Sequence, residues 1–340
     1  MDKKMTFKMK SLLFMKKHKK NTTRHTLLAT VVLLFLLILF PVWNYFLGQK
    51  TPVHEDARNT FTGSFVGDVA FNAYYETVVA KGRDKEFSRH LDSYLGTSDY
   101  VAGNIIGLTT DKETTLLKDF NISTVNIFND SEFSASAVQM ANTLEILDEK
   151  NITHVGQDAA ATVKIIYQEI NGIKMATIGI NESRYATTLK VIGEAHRDAD
   201  LVIVHLNWEE QYSSSVETED RRIAEAISDA GADIIVGHNT EVLKPIEIYN
   251  DTVILYSLGN FLHGEVYSAT NESALVQYVI GQNGSSLKVI PLNLAFGRPE
   301  PALGIFEVLT RYNIFKILTS ELPEDSSWSI EGGILNVELD

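Results

Sequence analysis

The sequence predicts an α/β domain on a central mixed sheet, and three observations predict it. Short apolar runs suited to buried strands alternate with stretches of helical periodicity through most of residues 61–294. Asn171-Gly172 and Asn250-Asp251 stand as two-residue turns between β-rich runs, so hairpins accompany the pairing that strand–helix alternation implies. Polar residues, Asp68 and His238 among them, follow directly on strand ends, where layered α/β proteins bind ligands. There is no internal repeat, Walker loop, GxGxxG or GxSxG motif.

The 340 residues accommodate a short anchor and one large domain or two smaller ones. The first 25 residues hold eight Lys and one Arg against Asp2 alone. Residues 27–47 carry no charge and are dense in Leu, Val and Phe. As a helix that run is long enough to cross a hydrocarbon core of about 30 Å. Trp43 and Tyr45 suit the interface, and a membrane helix tolerates Pro41. The basic flank stays in the cytoplasm by the positive-inside rule, which puts Gln49 onward outside the cell. A cleaved signal peptide is the rival reading; the run is long for one, and no small-x-small site follows it. The expected organisation is a basic cytoplasmic segment (1–26), a transmembrane signal-anchor (27–48), a linker (49–60), a main domain (61–298) and a C-terminal extension (299–340).

The formal charge is −14; the first 25 residues supply +8, so the remainder carries −22. An acidic exterior domain argues against nucleic acid and against anionic lipid as partners, and it serves solubility in any case. The absence of Cys removes disulfides, thiolate-bound zinc and thiol nucleophiles together. The domain must then rest on its core.

Along the chain, Phe61 to Val66 reads as a strand stopped by Gly67-Asp68. A Gly-Asp there marks either a turn or the first ligand of a hard-cation site. Glu86 to Gly96 is expected to be helical, and Val125 to Phe128 a short strand. Phe133, Ala137, Met140, Leu144 and Leu147 fall on one helical face. Val163 to Glu169 and Ile173 to Ile180 form a hairpin about Asn171-Gly172. Asn181 to Glu194 reads as a loop with a helix, Leu201 to Val204 as a buried strand, and Glu219 to Ala230 as a helix with Ile223 and Ile227 inward. Ala274 to Ile280 and Ser286 to Asn293 look like closing strands. Phe306 to Leu318 suggests an amphipathic helix, and Glu324 to Asp340 a peripheral tail.

The chain is organised around Gly231 to Glu265. Ile234 to Val236 is a buried strand ended by Gly237, with His238, Asn239 and Glu241 on the loop beyond it. Ile246 to Tyr249 and Val253 to Tyr256 follow as a hairpin, and Gly259-Asn260 marks a tight turn that aims a polar side chain at the strand ends. The intact Tyr256-Ser257-Leu258-Gly259-Asn260-Phe261, Phe65-Val66-Gly67-Asp68, Gly237-His238 and Pro245-Ile246-Glu247 resemble the CapA/PgsA-type proteins of bacterial capsule and poly-γ-glutamate synthesis, which are similar to calcineurin-like metallophosphoesterases. The resemblance implies a four-layer α/β/β/α sandwich of metallophosphoesterase type from about Phe61 to Leu294, and the apolar run 27–47 puts one transmembrane helix before it.

The resemblance also implies a site, with departures from the family pattern. Asp68, Asn104, Asn129 and His238 match candidate metal positions, with Asn239 and Glu241 beyond them. Ile106 stands for an acid; Ser131, Asn207, Asn239 and Glu241 stand for other family ligands, and Ser134 and Ser136 for an aspartate and a glycine. Asp130, His205 and Glu210 are the catalytic candidates; Asp130 also reads as a helix N-terminal acid, and His205 as a core histidine. Neutral amides are feeble ligands for transition metals, so the expectation is at most one hard cation, Mg²⁺, Mn²⁺ or Ca²⁺.

The function implied is membrane-anchored work in synthesis, export or assembly of capsule or poly-γ-glutamate, beside synthase subunits and with little hydrolase activity. An active metal-dependent phosphoesterase or polymer hydrolase is the alternative, and an adhesion module on the same fold a third. An acidic domain repels an anionic polymer unless a cation or basic patch intervenes. Lys244, Arg221 and Arg222 are candidates for such a patch, although a solvated helix face also accounts for the two arginines.

Overall fold

The structure, a computed structural model, describes residues 8–10, 16, 24–35, 61–71, 73–128, 137–156, 163–263, 269–282, 284–324 and 326–339. Two units divide the chain, Met1–Lys50 and Thr51–Asp340. In the first, residues 24–35 form an exposed helix. Among the described residues no helix is long and apolar enough to cross a membrane. The expected span beyond residue 35 and the expected linker lie outside the described residues.

The second unit is built on two sheets. The chain starts the first with β1 (Phe61–Val69), β2 (Tyr100–Ile106), β3 (Thr124–Phe128) and β4 (Thr153–Gly156). It then makes the second from β5 (Ile165–Ile170), β6 (Ile173–Asn181), β7 (Leu201–Asn207), β8 (Ile234–His238), β9 (Leu243–Tyr249) and β10 (Thr252–Leu258). It returns to the first with β11 (Asn260–Leu262), β12 (Glu272–Gly281), β13 (Gly284–Ala295), β14 (Arg298–Pro301), β15 (Trp328–Glu331) and β16 (Ile334–Leu339). The first sheet runs β15-β16-β13-β12-β1-β2-β3-β4, with β11 against β1 and β14 against β13; the second runs β5-β6-β7-β8-β10-β9. Both are mixed, as expected.

Strand alternation sorts the side chains into layers. Val66, Val101, Ile105, Val125 and Ile127 face outward from the first sheet, against helices α1 (Ala73–Ala80), α2 (Lys85–Ser88), α3 (Asp92–Leu95), α4 (Asp111–Asp119) and α5 (Ala137–Glu149). Their neighbours Phe61, Phe65, Tyr100 and Ala102 face the second sheet and meet Ile203, Ile234, Val236 and Leu255. Val202, Val204, Leu206 and Ile235 point the other way, onto α6 (Tyr185–Asp198) and α7 (Thr218–Asp229). Helix, sheet, sheet and helix are thus four layers around three apolar seams.

Several local features differ from expectation. The helix expected over Glu86 to Gly96 is two short ones, α2 and α3, because the chain turns between Arg89 and Leu91. Helix α4 went unread, although Thr110 and Glu113 form a reciprocal capping box at its start. The tail is not peripheral. Helix α8 (Val308–Leu318) buries Ile314, Phe315 and Leu318 in the inter-sheet core, and β16 adds Leu335 and Val337. The turns at Asn171-Gly172 and Asn250-Asp251 are hairpins with positive φ at all four residues, as type I′ geometry requires.

The strand expected to stop at Val66 continues to Val69 through a bulge. Phe65 faces Ala102 and Asp68 faces Asn104, so three steps on β1 match two on β2. The extra residue reverses the alternation and turns Asp68 to the face that Phe65 occupies. Gly67 sits within the bulge because the chain runs close to the turn after β10: a Cβ there would lie 1.9 Å from the Gly259 carbonyl oxygen. Gly67→Ala is expected to destabilise the fold by about 3 kcal/mol or more, read as a shift in the denaturant midpoint at unchanged slope.

Candidate functional site

Five strands bring a polar cluster to the carboxyl end of the inter-sheet seam. On β2 the inward residues run Tyr100, Ala102, Asn104; on β7 they run Leu201, Ile203, His205, Asn207; on β8 they run Ile234, Val236, His238. Asn126 holds the inward position between Val125 and Ile127 on β3 and lies in register with Asn104. Strands β1, β2, β7 and β8 therefore contribute apolar side chains at one end of the seam and polar ones at the other, and β3 adds Thr124 and Asn126. Asp68, Asn104, Asn126, His205, Asn207 and His238 are all at most 1% exposed.

The hydrogen bonds form a continuous chain. Asn104 Nδ2 donates to Asp68 Oδ1 at 2.9 Å, and the Asn239 backbone N–H donates to Asp68 Oδ2 at 2.8 Å. Asn126 Nδ2 donates to Asn104 Oδ1 at 2.8 Å and to Asn207 Oδ1 at 3.0 Å. The Asn126 oxygen rests against Gly156 and Gly179, where added Cβ atoms would approach it to 2.7 and 2.2 Å. His238 Nδ1 lies 3.3 Å from Asp68 Oδ1, and His238 Nε2 lies 3.0 Å from His205 Nδ1. The two imidazoles stack with centroids 5.3 Å apart. A proton on His238 Nδ1 suits the adjacent carboxylate, and His205 Nδ1–H then donates to His238 Nε2. Burial, and then the neighbouring His238, push the His205 pKa well below its ordinary value, so this imidazole is neutral.

Four buried atoms of this region have no polar partner among the described residues, Asn126 Oδ1, His205 Nε2, Asn207 Nδ2 and Asn260 Oδ1, while His238 Nδ1 has only its 3.3 Å approach to Asp68. Each such group costs about 1–3 kcal/mol. Toward the rim, Asn260 Nδ2 donates to Glu241 Oε2 at 2.9 Å, and His263 Nε2 lies 3.6 Å from the same oxygen. Asn239 and Glu241 hold φ values of 72° and 63°, a left-handed backbone that non-glycine residues rarely adopt. Behind them, Asn239 Nδ2 donates to the Trp208 carbonyl at 2.8 Å, and the indole N–H donates to the Tyr256 carbonyl at 2.8 Å. Among the described residues, no three His, Asp or Glu side chains gather as a metal-binding group.

The structure brings together Asp68, Asn104, His205, Asn207, His238 and Asn239, with Glu241 at the rim. Glu210 is exposed on the loop after β7. Asn129, Asp130, Ser131, Ser134 and Ser136 lie outside the described residues. Sequence reasoning missed Asn126 and His263. Alternation through Val125 and Ile127 was the available signal for Asn126, since it puts that residue on the face of Asn104.

The expected basic patch is overturned. Lys244 is fully buried, and its ammonium donates to Asp220 Oδ2 at 2.7 Å, 5.9 Å from the centre of the Trp208 ring. Arg221 is paired with Glu247 and Glu321, and Arg222 with Glu219. Acids on the same and neighbouring elements meet these charges.

Two expected outcomes follow from these contacts. Lys244→Ala should cost about 3–5 kcal/mol by leaving Asp220 buried without its partner, and the double change Lys244→Met with Asp220→Leu much less; equilibrium unfolding compares them. His205 gives a pH dependence. Below its ordinary value of 6.5 the unfolded chain takes up a proton at this side chain that the folded chain refuses. Stability should therefore fall as pH drops below that value, by up to about 1.4 kcal/mol per pH unit. Melting temperatures from pH 8 to 4.5 should show that slope in the wild type and a smaller one in His205→Gln.

Together, the four-layer mixed α/β fold and the strand-end polar cluster define a layered α/β domain with a buried site. A family model described as bacterial capsule synthesis protein PGA_cap matches residues 62–265, and the chain belongs to that family. It is 32% identical over 379 aligned positions to the PGA biosynthesis protein CapA of Bacillus subtilis (strain 168), covering all of this chain (100%) and 98% of that protein. The capsule biosynthesis protein CapA of Bacillus anthracis is 30% identical over 383 positions, covering 100% of this chain and 92% of that protein. A probable polyglutamine synthesis accessory protein of Mycobacterium tuberculosis (strain CDC 1551 / Oshkosh) is 29% identical over 115 positions, 31% of this chain and 30% of that protein. Among solved structures, Vacuolar Protein Sorting 29 from Cryptosporidium parvum overlaps at a TM-score of 0.33 and 13% identity, covering 71% of this chain and 95% of that one. At that score the overlap carries no weight, and the fold is defined by its own strand order.

Proposed function

We propose that this chain is a membrane-anchored accessory protein for the synthesis, export or assembly of an extracellular capsule or poly-γ-glutamate, on a metallophosphoesterase-type frame whose cation cage is incomplete. The family and the full-length likeness to the two Bacillus proteins support the pathway. The basic start and the uncharged run 27–47 support a single-pass anchor with the folded domain outside the cell. Working beside membrane synthase subunits is the matching partnership.

One observation carries the reading of the site. Both oxygens of Asp68, the one carboxylate in the buried cluster among the described residues, are engaged by Asn104 and by the Asn239 N–H. One nitrogen of His238 faces His205. Asn207 and Asn239 stand where the family pattern has ligands of a two-cation centre, so the residues present do not fit such a centre. A single hard cation is a better match to the amide oxygens, with Asp68 as its charge.

A metal-dependent hydrolase is the second reading. The unpartnered buried acceptors Asn126 Oδ1, His205 Nε2 and Asn260 Oδ1 favour it, because a site shaped around a bound cation carries such atoms. Elemental mass spectrometry on the full chain, purified in detergent without chelator, separates the two. The accessory reading expects at most about one equivalent of metal, held weakly as hard-cation chemistry implies; two firmly held equivalents of manganese or zinc would establish the hydrolase instead.

A further inference from the structure

The outermost strand of the first sheet, β15, is four residues long and exposed throughout. It pairs with β16 across the turn Gly332-Gly333, with Glu331 opposite Ile334, Ile330 opposite Leu335, Ser329 opposite Asn336 and Trp328 opposite Val337. Both glycines have positive φ, 60° and 86°, as a type I′ hairpin requires. In such a hairpin the pair beside the turn is hydrogen-bonded and the pairs then alternate. The Glu338 N–H donates to the Ser327 carbonyl at 2.9 Å, which fixes that alternation. Trp328 and Ile330 therefore turn their N–H and C=O groups away from β16, toward the open edge. Among the described residues no strand pairs there.

The same two residues carry the apolar layer past its last covered strand. Opposed residues share a face of the sheet. Trp328 and Ile330 thus extend the face of Val337 and Leu335, which are fully buried between the sheets. Yet Trp328 is 47% exposed and Ile330 48%. Natural edges are usually blunted by charge or proline, and this one presents an indole and an isoleucine beside free backbone donors and acceptors.

Charge selects the occupant. Glu331 on β15 and Glu338 on β16 lie on the face opposite Trp328 and Ile330. These acids repel an anionic lipid surface and favour an occupant that carries basic side chains. We propose that β15 is a docking edge for an extended segment of a partner protein in which apolar and basic residues alternate. That segment adds as a further strand, its apolar side chains on Trp328 and Ile330 and its basic ones toward Glu331 and Glu338. This proposal is independent of the metal content of the buried site.

A labelled peptide, acetyl-Val-Lys-Val-Lys-Val-Lys-Val-amide, titrated by fluorescence anisotropy against the full chain in detergent, tests it. The alternating peptide should bind at least about tenfold more tightly than a block peptide of the same composition and than its Val/Glu counterpart, since a strand must match both edge and charge. Ile330→Pro deletes an outward N–H that β16 does not use. It should weaken binding at least about tenfold, with an unchanged far-ultraviolet spectrum. Should that variant not fold, Trp328→Lys with Ile330→Lys keeps the backbone, repels the basic peptide and must give the same loss. Equal binding of the block peptide, no binding at all, or binding indifferent to these variants overturns the proposal. So does dimerisation, or adhesion to phosphatidylglycerol vesicles, that Ile330→Pro abolishes.

Discussion

A single buried carboxylate joins the two halves of this domain. Asp68 leaves the first sheet through a bulge and accepts one hydrogen bond from Asn104 beside it and one from the Asn239 backbone beyond β8. A carboxylate without solvent is tolerated only where such donors replace its water. The positions of β1, β2 and the loop after β8 are thus mutually fixed. The remaining features answer to that constraint: Gly67 permits the close approach to Gly259, Asn126 passes the hydrogen-bond chain across to Asn207, and Gly156 and Gly179 make room for the Asn126 oxygen. This polar end of the seam lies at the strand ends, where layered α/β proteins bind ligands. Here it is occupied largely by amides bonded to one another.

Much of the fold was legible in the sequence because strand periodicity and turn chemistry are local. The Asn-Gly and Asn-Asp turns, the buried strands of the second sheet and helix α7 announce themselves in a few residues each. The site was legible only in part. Asp68 and His238 were marked by position after strands and Asn104 by the family resemblance, whereas Asn126 sits inside a strand between Val125 and Ile127 and looks like an interruption of it. His205 precedes the strand end by two residues, and alternation returns it to the same face as Asn207, where it meets His238. The bulge was not legible at all: it depends on how near Gly259 comes, and residue types near position 67 do not encode that distance.

The errors share a cause. Lys244 looked like an exposed cation because lysine is seldom buried, but Asp220 supplies a partner from a helix more than twenty residues earlier. Residues 324–340 looked like a peripheral tail. Their burial is set by the sheet they join, with Leu335 and Val337 completing a face begun at Phe61.

The strand order has a consequence for how this chain becomes a domain. The first strand, β1, is interior to its sheet; Phe61 is paired with Ile280, and the sheet beyond is closed by β13 and β16. This first described strand therefore waits some two hundred residues, until β12, for its partner on that side. Contacts of such sequence separation form slowly. A chain of this topology therefore remains an open, unfinished sheet through most of its own production.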